Sequence, residues 1–352
     1  MTEKILMMGN EAIAEAAIVA GCRHYYGYPI TPQNEIPNYI SRRLEELGGT
    51  FIQAESELAA INMVFGTGLT GTRAMTSSSS PGISLKQEGI SYLAAAEVPG
   101  VIVNIMRGGP GLGGIGPSQS DYFQAVKGGG HGDYHPFVFA PSSVQESVDL
   151  VIDAFDISER YRTPVMILGD GILGQLMEPV VFPKMKEITN EHPKWALTGC
   201  KGRKPNVIRS LFLDPEVLEN LNKRLEKKYE KWKRDEVRYE EHYVKDADVL
   251  FVAYGTVARI CKQVVRDARK EGIKAGLFRP ITLFPFPEKA LKKVVNGKKF
   301  ILVVEMSMGQ MLEDVKLTVN SSIPIYFYNR VGGIIIKPSE IFKVLKKYFK
   351  KK

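Results

Sequence analysis

The run Val101-Ile102-Val103-Asn104-Ile105-Met106 restricts the fold more than any other stretch of the chain. It is apolar and β-branched, shows no in–out alternation, and is bounded by Pro99-Gly100 and by a glycine-rich segment that starts at Gly108. A short continuous apolar run of this kind suits a strand covered on both faces, as in a parallel sheet. Parallel neighbours need crossover connections, and the flanking sequence supplies helices for them. Ile13, Ala16, Ala17 and Ala20 form an i, i+3, i+4, i+7 stripe. A strand and a loop with two prolines follow over Arg23–Pro32, then a helix to about Glu46. Thr72–Thr76 reads as a strand, and Pro81-Gly82 opens a helix to about Ala96. Ser143-Val144-Gln145-Glu146 is a capping box, with Val144, Val148, Val151 and Phe155 behind it. Pro164–Leu168 is a last strand. The expected class is α/β, with helices on both faces of a parallel sheet.

A chain of 352 residues has room for about two domains at roughly 150 residues each. The alternation fills residues 1–190 and breaks over 191–246. There Asp214-Pro215-Glu216 starts a charged helix whose apolar edge is Val217, Leu221, Leu225, Tyr229 and Trp232. We read that segment as a linker arm packed along one side. Strand candidates resume at Val249–Thr256, Ala275–Arg279, Phe300–Glu305 and Ile323–Tyr328, which makes 247–352 a second, smaller α/β domain.

Composition excludes several classes. No apolar run approaches the ~18 residues of a membrane span. The start, Met1-Thr2-Glu3-Lys4, lacks the basic and apolar regions of a secretory signal. Cys22, Cys200 and Cys261 are too scattered for a disulfide framework, a metal site or a cluster, and a reducing cytoplasm is the expected location. The net charge of +8 gathers in the C-terminal lysines and in 201–245. No nucleic-acid signature accompanies it, so a solvated surface or a docking face for an acidic partner is expected.

The candidate chemistry lies where strands hand over to helices. In Gln53-Ala54-Glu55-Ser56-Glu57-Leu58-Ala59-Ala60, two carboxylates stand at the mouth of a helix whose body is apolar. The helix N-terminus stabilises nearby negative charge, whereas burial opposes it, and a carboxyl under both influences can handle a proton. Thr76-Ser77-Ser78-Ser79-Ser80-Pro81-Gly82 offers hydroxyls and free N–H groups at another helix start. Arg107 ends the apolar strand, where a guanidinium can grip a carboxylate or serve an internal ion pair. His131 and His135 are acid–base candidates in a glycine-rich loop. Gly111-Leu112-Gly113-Gly114-Ile115-Gly116 matches GxGxxG, but Pro117 follows where the nucleotide fingerprint needs a helix, so a loop is expected there. Gly169-Asp170-Gly171 is similar to the start of the metal–diphosphate motif of thiamine diphosphate enzymes. The asparagines that would complete it are missing from Lys194–Cys200. No metal ligands are assigned to this chain.

Taken in order, Gly27-Tyr28-Pro29-Ile30-Thr31-Pro32, Gln53–Ala60, Thr76–Leu85, Met106–Pro110 and Val304-Glu305-Met306 with Gly309-Gln310-Met311 resemble an alpha-type subunit of the 2-oxoacid:ferredoxin oxidoreductases. The branched-chain (2-oxoisovalerate) large subunits are the most similar. The resemblance covers the whole chain. It implies a pyrimidine-binding domain of the thiamine diphosphate fold at 1–190 and a transketolase C-terminal-like domain at 247–352. It further implies a beta subunit that carries diphosphate and Mg²⁺, gamma and ferredoxin-like delta subunits, [4Fe-4S] clusters on the partners, CoA as substrate and ferredoxin as acceptor.

Thiamine-dependent enzymes place a glutamate nine positions before a glycine on this helix, and Glu57 stands so before Gly66. The resemblance therefore gives Glu57 the pyrimidine N1′ contact, which favours the 4′-imino tautomer, and makes Glu55 a supporting residue. It gives Thr31 and Arg107 the substrate, with Arg107 on its carboxylate. Pro29, Ile30, Ser79 and Ser80 become cofactor contacts. A second cation for 2-oxoglutarate is absent from the 108–118 loop, which favours an apolar 2-oxoacid. The alternative is the same chemistry on 2-oxoglutarate or another 2-oxoacid, and the remote alternatives are a nicotinamide-dependent oxidoreductase and a non-catalytic assembly subunit.

Overall fold

A computed structural model describes residues 4–188, 191–319 and 323–350. Its largest sheet has seven strands, in the spatial order Thr282–Phe284, Phe137–Phe139, Pro164–Asp170, Gly100–Met106, Ala74–Ser78, His24–Gly27 and Thr50–Gln53. Six run parallel, and Thr282–Phe284 alone is antiparallel. The apolar run that opened the sequence lies at the centre. Gly100–Met106 pairs residue for residue with Pro164–Asp170 and is buried along its whole length.

Helices cover both faces. On one side, Gly9–Val19, Glu35–Glu46 and Val144–Tyr161 bury Ile13, Ile40, Val148 and Val151 against Val101, Val103 and Ile105. On the other, Glu57–Gly68 and Ser80–Ala95 set Ile61, Val64, Ile83 and Ile90 against Ile102 and Met106. Burying one such aliphatic side chain contributes about 1.5–3 kcal/mol, so these two layers drive the fold. Ser143 caps the helix Val144–Tyr161 by accepting from Glu146 N at 3.2 Å.

The second sheet has five strands, in the order Ile325–Asn329, Phe300–Glu305, Val249–Val252, Ala275–Pro280 and Tyr239–His242. The last is antiparallel to its neighbour. The helix Pro215–Asp235, capped by Asp214, lays Leu221, Leu225, Tyr229 and Trp232 on the first core and turns charged residues outward.

Five short strands escape the sequence reading, and one of them, Tyr239–His242, edges the second sheet from within the segment read as a linker arm. Ile5–Met8 pairs antiparallel with Met177–Val180 in a separate two-stranded ribbon. Phe137–Phe139 and Thr282–Phe284 join the large sheet, although Thr282–Phe284 lies among residues that otherwise build the second one. Each is only three or four residues long, too short to show a period. No described helix is long and apolar enough to cross a membrane.

Candidate active site

Four parallel strands of the large sheet release their carboxyl ends side by side, where open α/β sheets collect ligands. His24–Gly27 leads into Tyr28–Pro32, Thr50–Gln53 to Glu57, Ala74–Ser78 to Ser79 and Ser80, and Gly100–Met106 to Arg107. The topology thus brings the sequence candidates to one end of one sheet.

Glu57 is the first residue of its helix, and Ser56 caps that helix by accepting from Ala59 N at 3.2 Å. The Glu57 side chain is only 6% exposed. Its carboxylate accepts no hydrogen bond from any described residue. It lies instead against the backbone of Gly82. A Cβ built there would stand 2.6 Å from Glu57 Oε1 and 2.1 Å from Ser78 Oγ. Only glycine lets the two helices approach so closely beside that carboxylate. Glu55 is exposed and accepts from Ser56 Oγ at 3.0 Å.

Arg107 is buried, and its partners are carbonyls rather than a carboxylate. Nη1 donates to Thr31 O at 2.9 Å and Nη2 to Leu112 O at 2.8 Å. Among the described residues, Arg107 forms no internal ion pair. Thr31 itself is exposed, its Oγ1 3.3 Å from the Asn34 amide nitrogen that donates to it. Pro29 is exposed and Ile30 half-buried on the same loop. Ser80 Oγ donates to Asp121 Oδ2 at 2.6 Å and accepts from Arg107 N at 3.0 Å. Asn104, the one polar residue in the central apolar strand, also donates to Asp121 Oδ2, at 2.9 Å. Burial raises Asp121 above the usual carboxylate range, and the bonds from Ser80 and Asn104 partly offset that.

Four buried polar atoms here have no hydrogen-bond partner among the described residues: Thr76 Oγ1, Ser78 Oγ, Ser79 Oγ and Arg107 Nε. Leaving a buried polar group unpaired costs about 1–3 kcal/mol, so a cluster of them marks a place built to receive something polar.

The second sheet closes the other side. Gln119 exchanges hydrogen bonds with Met306, Oε1 accepting from Met306 N and Gln119 N donating to Met306 O, both at 2.9 Å. Its Nε2 donates to Tyr254 O at 3.0 Å. Gln310 Nε2 donates to Ser120 O at 2.6 Å and its Oε1 accepts from Phe123 N at 2.7 Å. Between these elements lies a cleft of about 350 Å³, lined among others by Ser80, Gly109, Asp121, Met306, Ser307 and Val331.

Sequence reasoning missed Lys86, Asn104, Asp121 and Gln119. Lys86 shares the buried helix face of Ile83 and Ile90, and a lysine on an apolar face was a usable signal. So was the lone amide of Asn104. Asp121 and Gln119 sit in an irregular segment that carries no period. The histidines lie elsewhere. His131 is exposed, and the His135 ring stacks on Phe284 at 4.0 Å with Nδ1 2.8 Å from Val126 O. The other two motifs are structural. Asp170 caps the short helix Gly171–Gln175 through Ile172 N and Leu173 N at 2.9 and 3.2 Å. The GxGxxG segment is a loop closed by the Arg107–Pro117 bridge, as expected.

Residues 15–240 match the family model of pyruvate flavodoxin/ferredoxin oxidoreductase, thiamine diphosphate-binding, and 247–341 match core domain II of pyruvate:ferredoxin oxidoreductase. Ketoisovalerate oxidoreductase subunit VorB of Methanothermobacter marburgensis is 49% identical over 341 residues, 97% of each chain. The 2-oxoglutarate synthase subunit KorA of Methanocaldococcus jannaschii is 38% identical, over 95% of this chain and 97% of its own. Among solved structures, the 2-oxoglutarate:ferredoxin oxidoreductase from Magnetococcus marinus with 2-oxoglutarate, coenzyme A and succinyl-CoA bound aligns with a TM-score of 0.86 and 26% identity. The alignment covers 98% of this chain and 65% of that longer one. A split-gene transketolase at 13% identity and TM-score 0.61 shares the fold. Two family models that together span most of the chain, and relatives that match it end to end, agree with the α/β reading and with the resemblance: the chain belongs to the pyruvate flavodoxin/ferredoxin oxidoreductase family, as an alpha-type 2-oxoacid:ferredoxin oxidoreductase subunit.

Proposed function

We propose that this chain supplies the pyrimidine-binding half of a thiamine diphosphate site in an enzyme that converts a branched-chain 2-oxoacid and CoA to acyl-CoA and CO₂, with the electrons passing to ferredoxin. The observation that carries the reading is Glu57, a buried residue at a helix mouth whose carboxylate accepts no hydrogen bond from any described residue. A carboxyl so placed can share a proton with a ring nitrogen. The orphaned hydroxyls of Ser78 and Ser79 and the glycine backbone at Gly82 fit a flat polar ring beside it. Glu57, Ser79, Ser80, Pro29 and Ile30 would hold the cofactor.

Bound thiamine diphosphate supplies a carbon nucleophile for the keto carbon and a sink for the electrons released with CO₂. Arg107 orients the substrate carboxylate. To do so it uses its unpartnered Nε or trades the Leu112 carbonyl for the substrate, since both Nη atoms are engaged. Thr31, on the loop held by Arg107, hydrogen-bonds a substrate oxygen. The cleft lining includes Pro110, Met306, Met308 and Val331, and its charged member is Asp121. The VorB relatives support an apolar substrate side chain.

The diphosphate and Mg²⁺ are assigned to a beta subunit, the [4Fe-4S] clusters to partners that include gamma and delta subunits, and the whole to the cytoplasm. The experiment is reconstitution. The isolated chain is expected to be inactive, and co-purified partners should restore viologen reduction that is faster with 3-methyl-2-oxobutanoate than with 2-oxoglutarate. Turnover by the lone chain would overturn the divided site, and a preference for 2-oxoglutarate would overturn the substrate.

A further inference from the structure

Lys86 is a buried charged group that the reading above leaves unused. It lies on the helix Ser80–Ala95 and its side chain is 0% exposed. Holding an ammonium out of water costs several kcal/mol unless neighbours repay it. Its hydrogen bond runs to Glu57 O at 3.5 Å, at the outer limit of a useful bond. Burial draws Lys86 down to about 8, and the charge that opposes this is Glu57.

The placement is set by three residues on one helix face. Gly82, Lys86 and Gly89 follow the i, i+4, i+7 spacing of a single stripe. Gly82 meets the Glu57 carboxylate. At Gly89 a Cβ would come within 2.4 Å of Ile61 Cγ2. The two glycines bring the helix Glu57–Gly68 so close that Lys86 between them must end against its first turn. A packing residue would need no charge at that point.

We propose that Lys86 is the positioning residue for Glu57: it pins the first turn of the Glu57 helix and provides the buried countercharge that holds the carboxylate in place for the cofactor ring. This rests on the assignment of Glu57 to the pyrimidine, and the test separates the two.

The test is a double-mutant cycle on the complex assembled with its partner subunits, with thiamine diphosphate affinity read by fluorescence titration. Lys86→Gln keeps a donor for the Glu57 carbonyl and removes the charge. It is expected to weaken cofactor binding at least about tenfold, a modest loss for a buried charge. In the Glu57→Gln background the same change should alter affinity less than about twofold, because the charge it served is gone. Lys86→Arg should recover part of the loss. Equal losses in both backgrounds, or unchanged affinity in Lys86→Gln, would overturn the proposal. If Lys86→Gln does not assemble while Lys86→Gln/Glu57→Gln does, charge balance between the two is supported. If neither assembles, the role is packing and the proposal fails. Should Glu57→Gln alone bind cofactor and turn over normally, the pyrimidine assignment is what fails.

Discussion

Two buried glutamates stand beside helix starts in this chain, and their surroundings differ. Glu305 ends the strand Phe300–Glu305 of the second sheet with no exposure. One oxygen accepts from Ser307 Oγ at 2.7 Å and Met311 N at 3.0 Å, the other from Leu312 N at 2.8 Å. It ties a helix to a strand, and its bonding capacity is spent within the fold. Glu57 is almost as buried, begins a helix rather than serving one, and its carboxylate accepts no hydrogen bond from any described residue. The first is the arrangement of a structural acid. The second is that of an acid reserved for a ligand, because an unpaired buried group persists only where something offsets its cost.

The largest effect should separate the two residues cleanly. Glu57→Gln is expected to lower turnover of the assembled enzyme at least about a thousandfold, about 4 kcal/mol in barrier. No hydrogen bond of the fold is lost, so any fall in its melting temperature should reflect the Lys86 charge left without its partner and should vanish in Lys86→Gln/Glu57→Gln. Denaturation curves and steady-state rates on the same preparation check both halves, and a variant with ordinary turnover ends the comparison.

A smaller effect is expected at Gly82→Ala. The added methyl meets Glu57 Oε1 and Ser78 Oγ, both side-chain atoms that can shift. The expected outcome is a folded protein with thiamine diphosphate affinity lowered about tenfold, about 1.4 kcal/mol. Titration with the cofactor reads it, and unchanged affinity would mean the carboxylate has room that the packing does not show.

The smallest effect on chemistry belongs to Glu305→Gln. The amide NH₂ would face one of the helix N–H donors and leave it unpaired, at about 1–3 kcal/mol of stability. Burial raises Glu305 above the ordinary glutamate value. The folded state therefore keeps a proton that the unfolded chain has released. That contribution is fully present below the unfolded value and is lost as pH rises through the folded one. Stability of the wild type should decline over that window by more than stability of Glu305→Gln, as urea titrations across pH would show. Equal slopes would mean Glu305 stays ionised throughout.

The same contrast explains what could be read from the chain. Glu57 was visible because two acids before an apolar helix are conspicuous in one dimension. The central strand was visible because burial on both faces writes a continuous apolar run. Lys86 was harder, since its meaning depends on which helix its face meets. Gln119 and Asp121 were out of reach. Their bonds join Met306, Ser80 and Asn104, up to 187 positions away, and use amides, carbonyls and hydroxyls that any loop contains. The three-residue strand Thr282–Phe284 was invisible for a related reason, because its partner edge is chosen by how the second sheet docks.

That strand bears on how the molecule can be divided. Thr282–Phe284 covers the free edge of Phe137–Phe139 in the large sheet. A fragment that stops at residue 246 would carry Thr31, Glu57, Ser79, Ser80 and Arg107 and still leave that edge bare. An uncovered edge invites pairing with another chain. The first two-thirds of the sequence therefore relies on the last third for its solubility, and separating the two sheets would trade a folded subunit for a sticky one.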